Sequence, residues 1–206
     1  ADADGDGTGD FTAADGPVSA AVYVDDVDSD DVVIFDGLTK NFRYPGWRLG
    51  WAVGPRHTIA TLEKVGIALD GGPSNIVQRA ALLALDPAYA DQETSATRRH
   101  FTHKRNLTVN ALRDMGITAA APTQGTCYVW GCLDELPGGL SDAATFFRAG
   151  LEYQVITVPG QFFDINPGRR RDRESYTSWI RFSFGPAPEA LTEGLNRLAQ
   201  MIEKYR

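Results

Sequence analysis

From position 32 onward the chain alternates between short apolar runs and stretches of helical periodicity. Val32-Val33-Ile34-Phe35 is β-branched and aromatic and too short for a helix, which predicts a buried parallel strand. Past a segment rich in Gly, Pro and aromatics from Asn41 to Gly54, Ile59, Leu62, Val65 and Leu69 recur at helical spacing and predict an amphipathic helix. Ser74 is placed to cap a second helix carrying Ile76, Ala80 and Leu83, and a long polar third helix runs from about Asp91 to Met115, just before Gly116. Thr126–Trp130 then reads as extended, Ser141–Leu151 as helical behind an N-cap, and Gln154–Val158 and Ser178–Phe184 as extended. A last helix carries Leu191, Leu195, Leu198 and Ile202, with Pro188 near its first turn.

Strands and helices mixed in this way predict an α/β fold, a sandwich domain appended to a larger α/β domain, with the boundary in the long third helix. The division expected is an acidic loop over 1–31, part of a larger domain over 32–100, and a small domain over 101–206. The first stretch is dense in Asp and Gly and has few large apolar side chains, too few to offset the cost of ordering its backbone. Its opening, Ala1-Asp2-Ala3-Asp4, has no Met and reads like the interior of a longer sequence. At 43% hydrophobic residues the 206-residue chain can build a core, and a net charge of −7 argues against a nucleic-acid partner, which needs Lys and Arg to displace counterions. No apolar run approaches a membrane span and no signal peptide is visible, so a cytoplasmic protein with no membrane partner is expected. Cys127 and Cys132 are the only cysteines and suggest neither a disulfide framework nor a metal site.

Chemistry concentrates in Asp36-Gly37-Leu38-Thr39-Lys40-Asn41-Phe42-Arg43-Tyr44-Pro45-Gly46-Trp47-Arg48-Leu49-Gly50-Trp51, where one Lys stands just past a strand and an Arg follows in a Gly-rich turn. By itself this could be a surface loop with two solvated cations. It resembles, however, the cofactor-lysine signature of the fold type I, pyridoxal-phosphate-dependent aminotransferases of class I and II, in which Ser or Thr precedes the Lys and a Gly-x-Arg-x-Gly turn follows. The resemblance covers about residues 32–206. It implies that Lys40 holds pyridoxal phosphate covalently and that Arg48 binds the cofactor phosphate; Thr39, directly before Lys40, could contribute a hydroxyl or equally serve the turn. Desolvation and a neighbouring cation free a lysine amine for attack on an aldehyde, and the planar fork of an arginine suits bidentate contact with phosphate oxygens. Gly46 and Gly50 are expected to let the backbone turn tightly around Arg48. The family often has a Ser three residues before the Lys, where this chain has Gly37.

The second passage is Ser178-Trp179-Ile180-Arg181-Phe182-Ser183-Phe184-Gly185. Period-two alternation puts Ile180, Phe182 and Phe184 on one strand face and Trp179, Arg181 and Ser183 on the other. An edge arginine reaching water is one reading. A similar strand in the aminotransferases supplies the arginine that grips the substrate α-carboxylate, so the resemblance implies that role for Arg181. Weaker matches are Pro122-Thr123-Gln124-Gly125-Thr126-Cys127-Tyr128, similar to a hairpin of the small domain, and Val158-Pro159-Gly160-Gln161-Phe162-Phe163, similar to the turn before its later strands. Ser74 could reach the cofactor phosphate of a neighbouring subunit, or simply cap its helix. Asp2, Asp4, Asp6 and Gly7 imitate a calcium loop, but Ala13 stands where the bidentate Glu belongs. His100 and His103 lack a third ligand, and the Arg169–Arg173 run reads as an exposed loop pairing with the chain's own acids.

The resemblance implies an aminotransferase moving an amino group between an L-amino acid and a 2-oxo acid, with no metal, acting as a homodimer when full length. A lyase using the same cofactor, or a non-catalytic ligand-binding or regulatory domain, are the alternatives. No Asp-x-x-Tyr precedes Lys40, although the family uses one to hold the cofactor ring. The expectation is therefore a C-terminal portion of such an enzyme lacking the N-terminal half: the end of a large domain with a mostly parallel sheet, followed by the smaller sandwich domain.

Overall fold

The computed structural model describes residues 18–120, 123–166, 168 and 170–206. The aspartates of the apparent calcium loop, Pro122 of the small-domain hairpin and Arg169 lie outside the described residues, as does the first half of the acidic 1–31 segment. The described chain forms two compact units, one running to Arg98 and the other spanning Arg99–Arg206.

In the first unit, strands β1 (Ile34–Gly37) and β2 (Gly50–Val53) pair antiparallel, with Ile34 opposite Val53 and Gly37 opposite Gly50. Helices α1 (Arg56–Leu69), α2 (Asn75–Ala84) and the start of α3 (Pro87–Asp114) follow. The expected buried parallel strand is thus corrected. A parallel neighbour needs a crossover of a dozen or more residues that brings the chain back in the same direction, whereas here the chain reverses and pairs with the strand that directly follows. β1 is also not sealed on both faces, since Phe35 is 71% exposed. The apolar positions expected to be the inner faces of α1 and α2 are uncovered as well: Val65, Leu69, Ile76 and Leu83 are all exposed, and α2 buries only Ala81 and Ala84.

The second unit has a four-stranded sheet of order β3-β4-β6-β5, built from β3 (Thr118–Ala119), β4 (Tyr128–Cys132), β5 (Val158–Pro159) and β6 (Trp179–Ser183), and every pairing is antiparallel. The expected fold class, a mostly parallel large-domain sheet with a separate sandwich domain, is replaced by an α/β fold whose described sheets are antiparallel.

Local chemistry explains the boundaries. Gly116 takes φ +89° after α3, its amide bonds Arg113 O at 3.0 Å, and the Ile117 amide bonds Leu112 O at 2.9 Å. This left-handed cap buries Leu112 and Ile117 together. The Asp142 carboxylate accepts from the Thr145 amide at 2.8 Å at the start of α4 (Ala143–Glu152), a cap worth about 1 kcal/mol. α5 (Pro188–Lys204) opens on Pro188 and buries Leu191, Leu195, Leu198, Met201 and Ile202. These side chains meet Val129, Ile180, Phe182, Phe146 and Leu112 in one core, where each large side chain contributes about 1.5–3 kcal/mol. Gly131 in β4 is needed by that packing: a Cβ there would lie 2.8 Å from both the Ile117 Cγ2 and the Phe182 ring.

Candidate active site

Lys40, Thr39 and Arg48 share one loop, residues 38–49, between β1 and β2. Its ends are tied by the Leu38 amide donating to Leu49 O at 3.0 Å, and the Tyr44 amide turns back to Leu38 O at 2.9 Å. Leu38 is fully buried and roots the loop. Lys40 therefore leaves the turn two residues after the closing pair and Arg48 one residue before it, so an amine and a guanidinium flank the same junction. Both side chains are exposed and Thr39 is half-buried, so the described residues do not supply the desolvation expected around Lys40. Arg48 Nη1 donates to Pro45 O at 2.9 Å, which orients the fork and leaves its other donors for a ligand.

The tight turning falls on residues other than those expected. Arg43 and Arg48 themselves sit in the left-handed region, at φ 60° and 51°, while Gly46 is in open space. Each such non-glycine residue costs about 1–2 kcal/mol, so contacts elsewhere hold the loop. Arg43 pairs with Glu93, the Tyr44 and Tyr89 hydroxyls lie 2.9 Å apart, and Tyr44 stacks on Trp47 at 4.6 Å. Gly50 has a different purpose. It faces Gly37 across the hairpin, and a Cβ on Gly37 would come within 2.8 Å of Gly50 Cα and of Leu49 O. In this hairpin the close approach of the two strands leaves no room for a side chain at Gly37. Gly37→Ser is expected to destabilise the hairpin by about 1–3 kcal/mol and to weaken cofactor retention, not improve it. Urea denaturation of the variant checks this, and a gain in stability would contradict the close approach.

Ser74 is exposed at the N-cap position of α2, but its side chain makes no capping bond. Capping by its hydroxyl is therefore not what the residue does here.

Arg181 belongs to the second unit and its surroundings are aromatic. It lies opposite Trp130 in the β4–β6 register, on the face that also carries Tyr128 and Trp179. Its guanidinium carbon sits 4.1 Å from the Tyr128 ring centre and 4.9 Å from that of Phe163. Trp130 contacts Phe163, Tyr176 and Trp179 with ring centres 5.4–6.0 Å apart. Ile180, Phe182 and Phe184 fill the core on the opposite side, as the alternation requires. No carboxylate pairs with Arg181 among the described residues. Its guanidinium thus lies over two rings, and with no described carboxylate paired to it, its donors remain for an anion. Phe163 arrives on the turn after β5, which demands glycine, since a Cβ at Gly160 would lie 2.5 Å from Tyr176 O. In the following loop the Ser175 amide and the Arg171 guanidinium hold the Asp164 carboxyl below its usual range, so Arg171 is paired within its own loop.

Lys104 was not singled out from sequence as a buried group. It is 3% exposed, burial pushes its pKa down, and such a lysine is ordinarily the better nucleophile. Its ammonium is committed, however, donating to Gly185 O at 2.9 Å and Pro186 O at 3.0 Å and lying 4.1 Å above the Phe101 ring. A lysine so enclosed ties down the β6–α5 turn and cannot meet an aldehyde. His100 and His103 are exposed on α3. Cys127 and Cys132 are both free. No described helix is long and apolar enough to cross a membrane.

The family described as aminotransferase class I and II matches residues 6–198. Similar proteins include the LL-diaminopimelate aminotransferase of Nitratidesulfovibrio vulgaris, 32% identical over 83% of this chain and 41% of that protein. The aromatic-amino-acid aminotransferase 2 of Thermococcus litoralis is 25% identical over 84% of this chain and 42% of its own. Among solved structures, the aromatic aminotransferase from Pyrococcus horikoshii superposes with a TM-score of 0.73 at 25% identity, over 84% of this chain and 43% of that one. The chain spans about two fifths of the length of these relatives. The expectation that the resemblance starts near residue 32 is overturned: the match begins at residue 6 and takes in nearly the whole chain. Periodicity misses the first part of that match because an Asp- and Gly-rich stretch offers too few apolar side chains to register.

Proposed function

This chain belongs to the class I and II aminotransferases, and from that premise we propose that it moves an amino group between an L-amino acid and a 2-oxo acid, with Lys40 holding pyridoxal phosphate. Similarity to pyridoxal-phosphate-dependent aminotransferases supports that cofactor. The observation that carries the reading is the closed 38–49 loop, which presents an exposed amine and a free guanidinium edge on either side of one hydrogen-bonded junction. These residues fit the group: an amine for its aldehyde and a cationic fork for its phosphate.

The residues then divide the tasks. Lys40 Nζ would hold the cofactor through its aldehyde, and as a free amine it would take the substrate Cα proton and return it. Bound pyridoxal phosphate supplies the aldehyde for amine exchange and a ring that accepts electrons released at Cα. Arg48 would bind the phosphate with the donors that Pro45 leaves free, the Thr39 hydroxyl would add a neutral hydrogen bond to it, and Ser74 would reach the cofactor phosphate of a neighbouring subunit. Arg181 binds the substrate α-carboxylate, while its guanidinium rests over the Tyr128 and Phe163 rings, which help to hold the fork. The exposed Val65, Ile67, Leu69, Ile76 and Leu83 of α1 and α2 support a homodimer, because apolar surface of this extent is usually covered. Two free cysteines support a cytoplasmic, reducing setting.

Borohydride reduction of the cofactor-loaded protein, followed by peptide mapping, is expected to place the pyridoxyl group on Lys40. A label on Lys64, Lys104 or Lys204 in its place would overturn the assignment, and the enclosure of Lys104 makes that residue the sharpest control.

A further inference from the structure

Two adjacent residues of the 38–49 loop reach two residues one helical turn apart on α3. Arg43 pairs with Glu93, and the Tyr44 hydroxyl meets that of Tyr89 at 2.9 Å. Positions 89 and 93 stand in the i, i+4 relation and so share one face of the helix. Glu93 is the more enclosed partner, with 20% of its side chain exposed against 56% for Arg43. Tyr44 is fixed from the other side by stacking on Trp47 at an interplanar angle of 14°.

Arg43 needs such a hold because its left-handed backbone is unfavourable for a side-chain-bearing residue, and Arg48, five residues on, needs the same. Left to itself, the loop would relax toward ordinary right-handed or extended conformations and carry Lys40 and Arg48 with it. Charge adds a second argument. Lys40, Arg43 and Arg48 are three cations within nine positions, and any of them could draw an anion. Glu93 neutralises Arg43, which leaves Arg48 as the loop's free guanidinium.

We propose that Tyr89 and Glu93 are positioning residues: together they clamp the 38–49 loop to α3, holding Lys40 and Arg48 in the arrangement that accepts the cofactor. Either hydroxyl of this close pair can donate, and the Tyr44 hydroxyl holds the Tyr89 pKa above the ordinary tyrosine value. The clamp rests on the reading of Lys40 as the attachment residue, but the structural half of it can be tested with no cofactor present.

Tyr89→Phe and Glu93→Gln remove one contact each and leave the size of the side chain nearly unchanged. In the cofactor-free protein, the double variant is expected to exchange the Leu38 and Tyr44 amide hydrogens at least tenfold faster, while the Ile117 amide in the other unit exchanges as before. Absorbance titration with pyridoxal phosphate should show affinity reduced about tenfold. The visible band of the bound cofactor should also change its pH midpoint, which loss of general stability would not produce. Tyr44→Phe, which breaks the same contact from the loop side, should reproduce the Tyr89→Phe effects. Unchanged exchange at Leu38 and Tyr44 overturns the clamp. Faster exchange with unaltered cofactor affinity and pH midpoint overturns the positioning role. A borohydride label found elsewhere than Lys40 in the unsubstituted protein would refute the Lys40 reading instead, whatever the exchange data show.

Discussion

Lys40→Ala is expected to abolish covalent retention of pyridoxal phosphate and to lower turnover about a thousandfold or more. Two functions disappear together. The first is attachment, which only a primary amine can provide. The second is proton transfer at the substrate Cα, for which a positioned general base contributes about 10²–10⁴-fold. Lys104 is enclosed with its ammonium donating to the Gly185 and Pro186 carbonyls, and Lys64 and Lys204 lie on α1 and α5, away from the 38–49 loop in sequence. Lys40→Arg is the companion variant. It keeps the cation but offers a guanidinium that does not deprotonate in a protein, so it should be as inactive as the alanine form while holding the phosphate end of the cofactor somewhat better. Small primary amines added to Lys40→Ala should restore part of the turnover, because they supply a free base in the vacated space. Turnover within tenfold of the unsubstituted protein would remove Lys40 from the mechanism.

How far the sequence could be read depended on the reach of the interactions involved. The strand bearing Arg181 was legible because strict alternation separates Ile180, Phe182 and Phe184, which are buried, from the face bearing Arg181. The end of α3 was legible because a left-handed Gly116 cap is a local device. The pairing of β1 was not, since a four-residue apolar run carries no information about the direction of its neighbour. Reading the run as buried and parallel assumed a covered sheet, and Phe35 is largely exposed. The positions of Gly37 and Gly50 in the text say that something is tight, but only the register shows that they face each other. The contacts of Arg43 and Tyr44 with α3 join residues about fifty positions apart, and no spacing rule connects them. The aromatic surroundings of Arg181 lie between these cases. Tyr128, Trp130 and Trp179 alternate visibly along their strands, yet Phe163 and Tyr176 reach the same face only through the fold.

Arg181→Ala should raise KM for both the amino acid and the oxo acid about tenfold to a hundredfold, with cofactor affinity unchanged. A hydrogen bond between charged partners is worth about 1.5–3 kcal/mol, and 1.4 kcal/mol corresponds to a factor of ten. The fork would make two such bonds to one carboxylate, so the upper part of that range applies if its geometry is held. The structure supplies reasons for it to be held. Tyr128 and Phe163 lie against the guanidinium at 4.1 Å and 4.9 Å, Trp130 faces it across the strand pair, and no described carboxylate competes for its donors. Arg181→Lys separates charge from shape: an ammonium keeps the attraction but loses the planar match and the ring contacts, so its KM should fall between those of the unsubstituted and alanine forms. The core should not suffer, because Arg181 points away from the side on which Ile180 and Phe182 are buried, and thermal melts of all three forms should nearly coincide. A substrate lacking the carboxylate, such as the corresponding simple amine, should react poorly with the unsubstituted protein and be little affected by the Arg181→Ala change. If KM for the carboxylate substrates is unchanged in Arg181→Ala, this arginine is an edge-strand cation resting on aromatic rings and the substrate is gripped elsewhere.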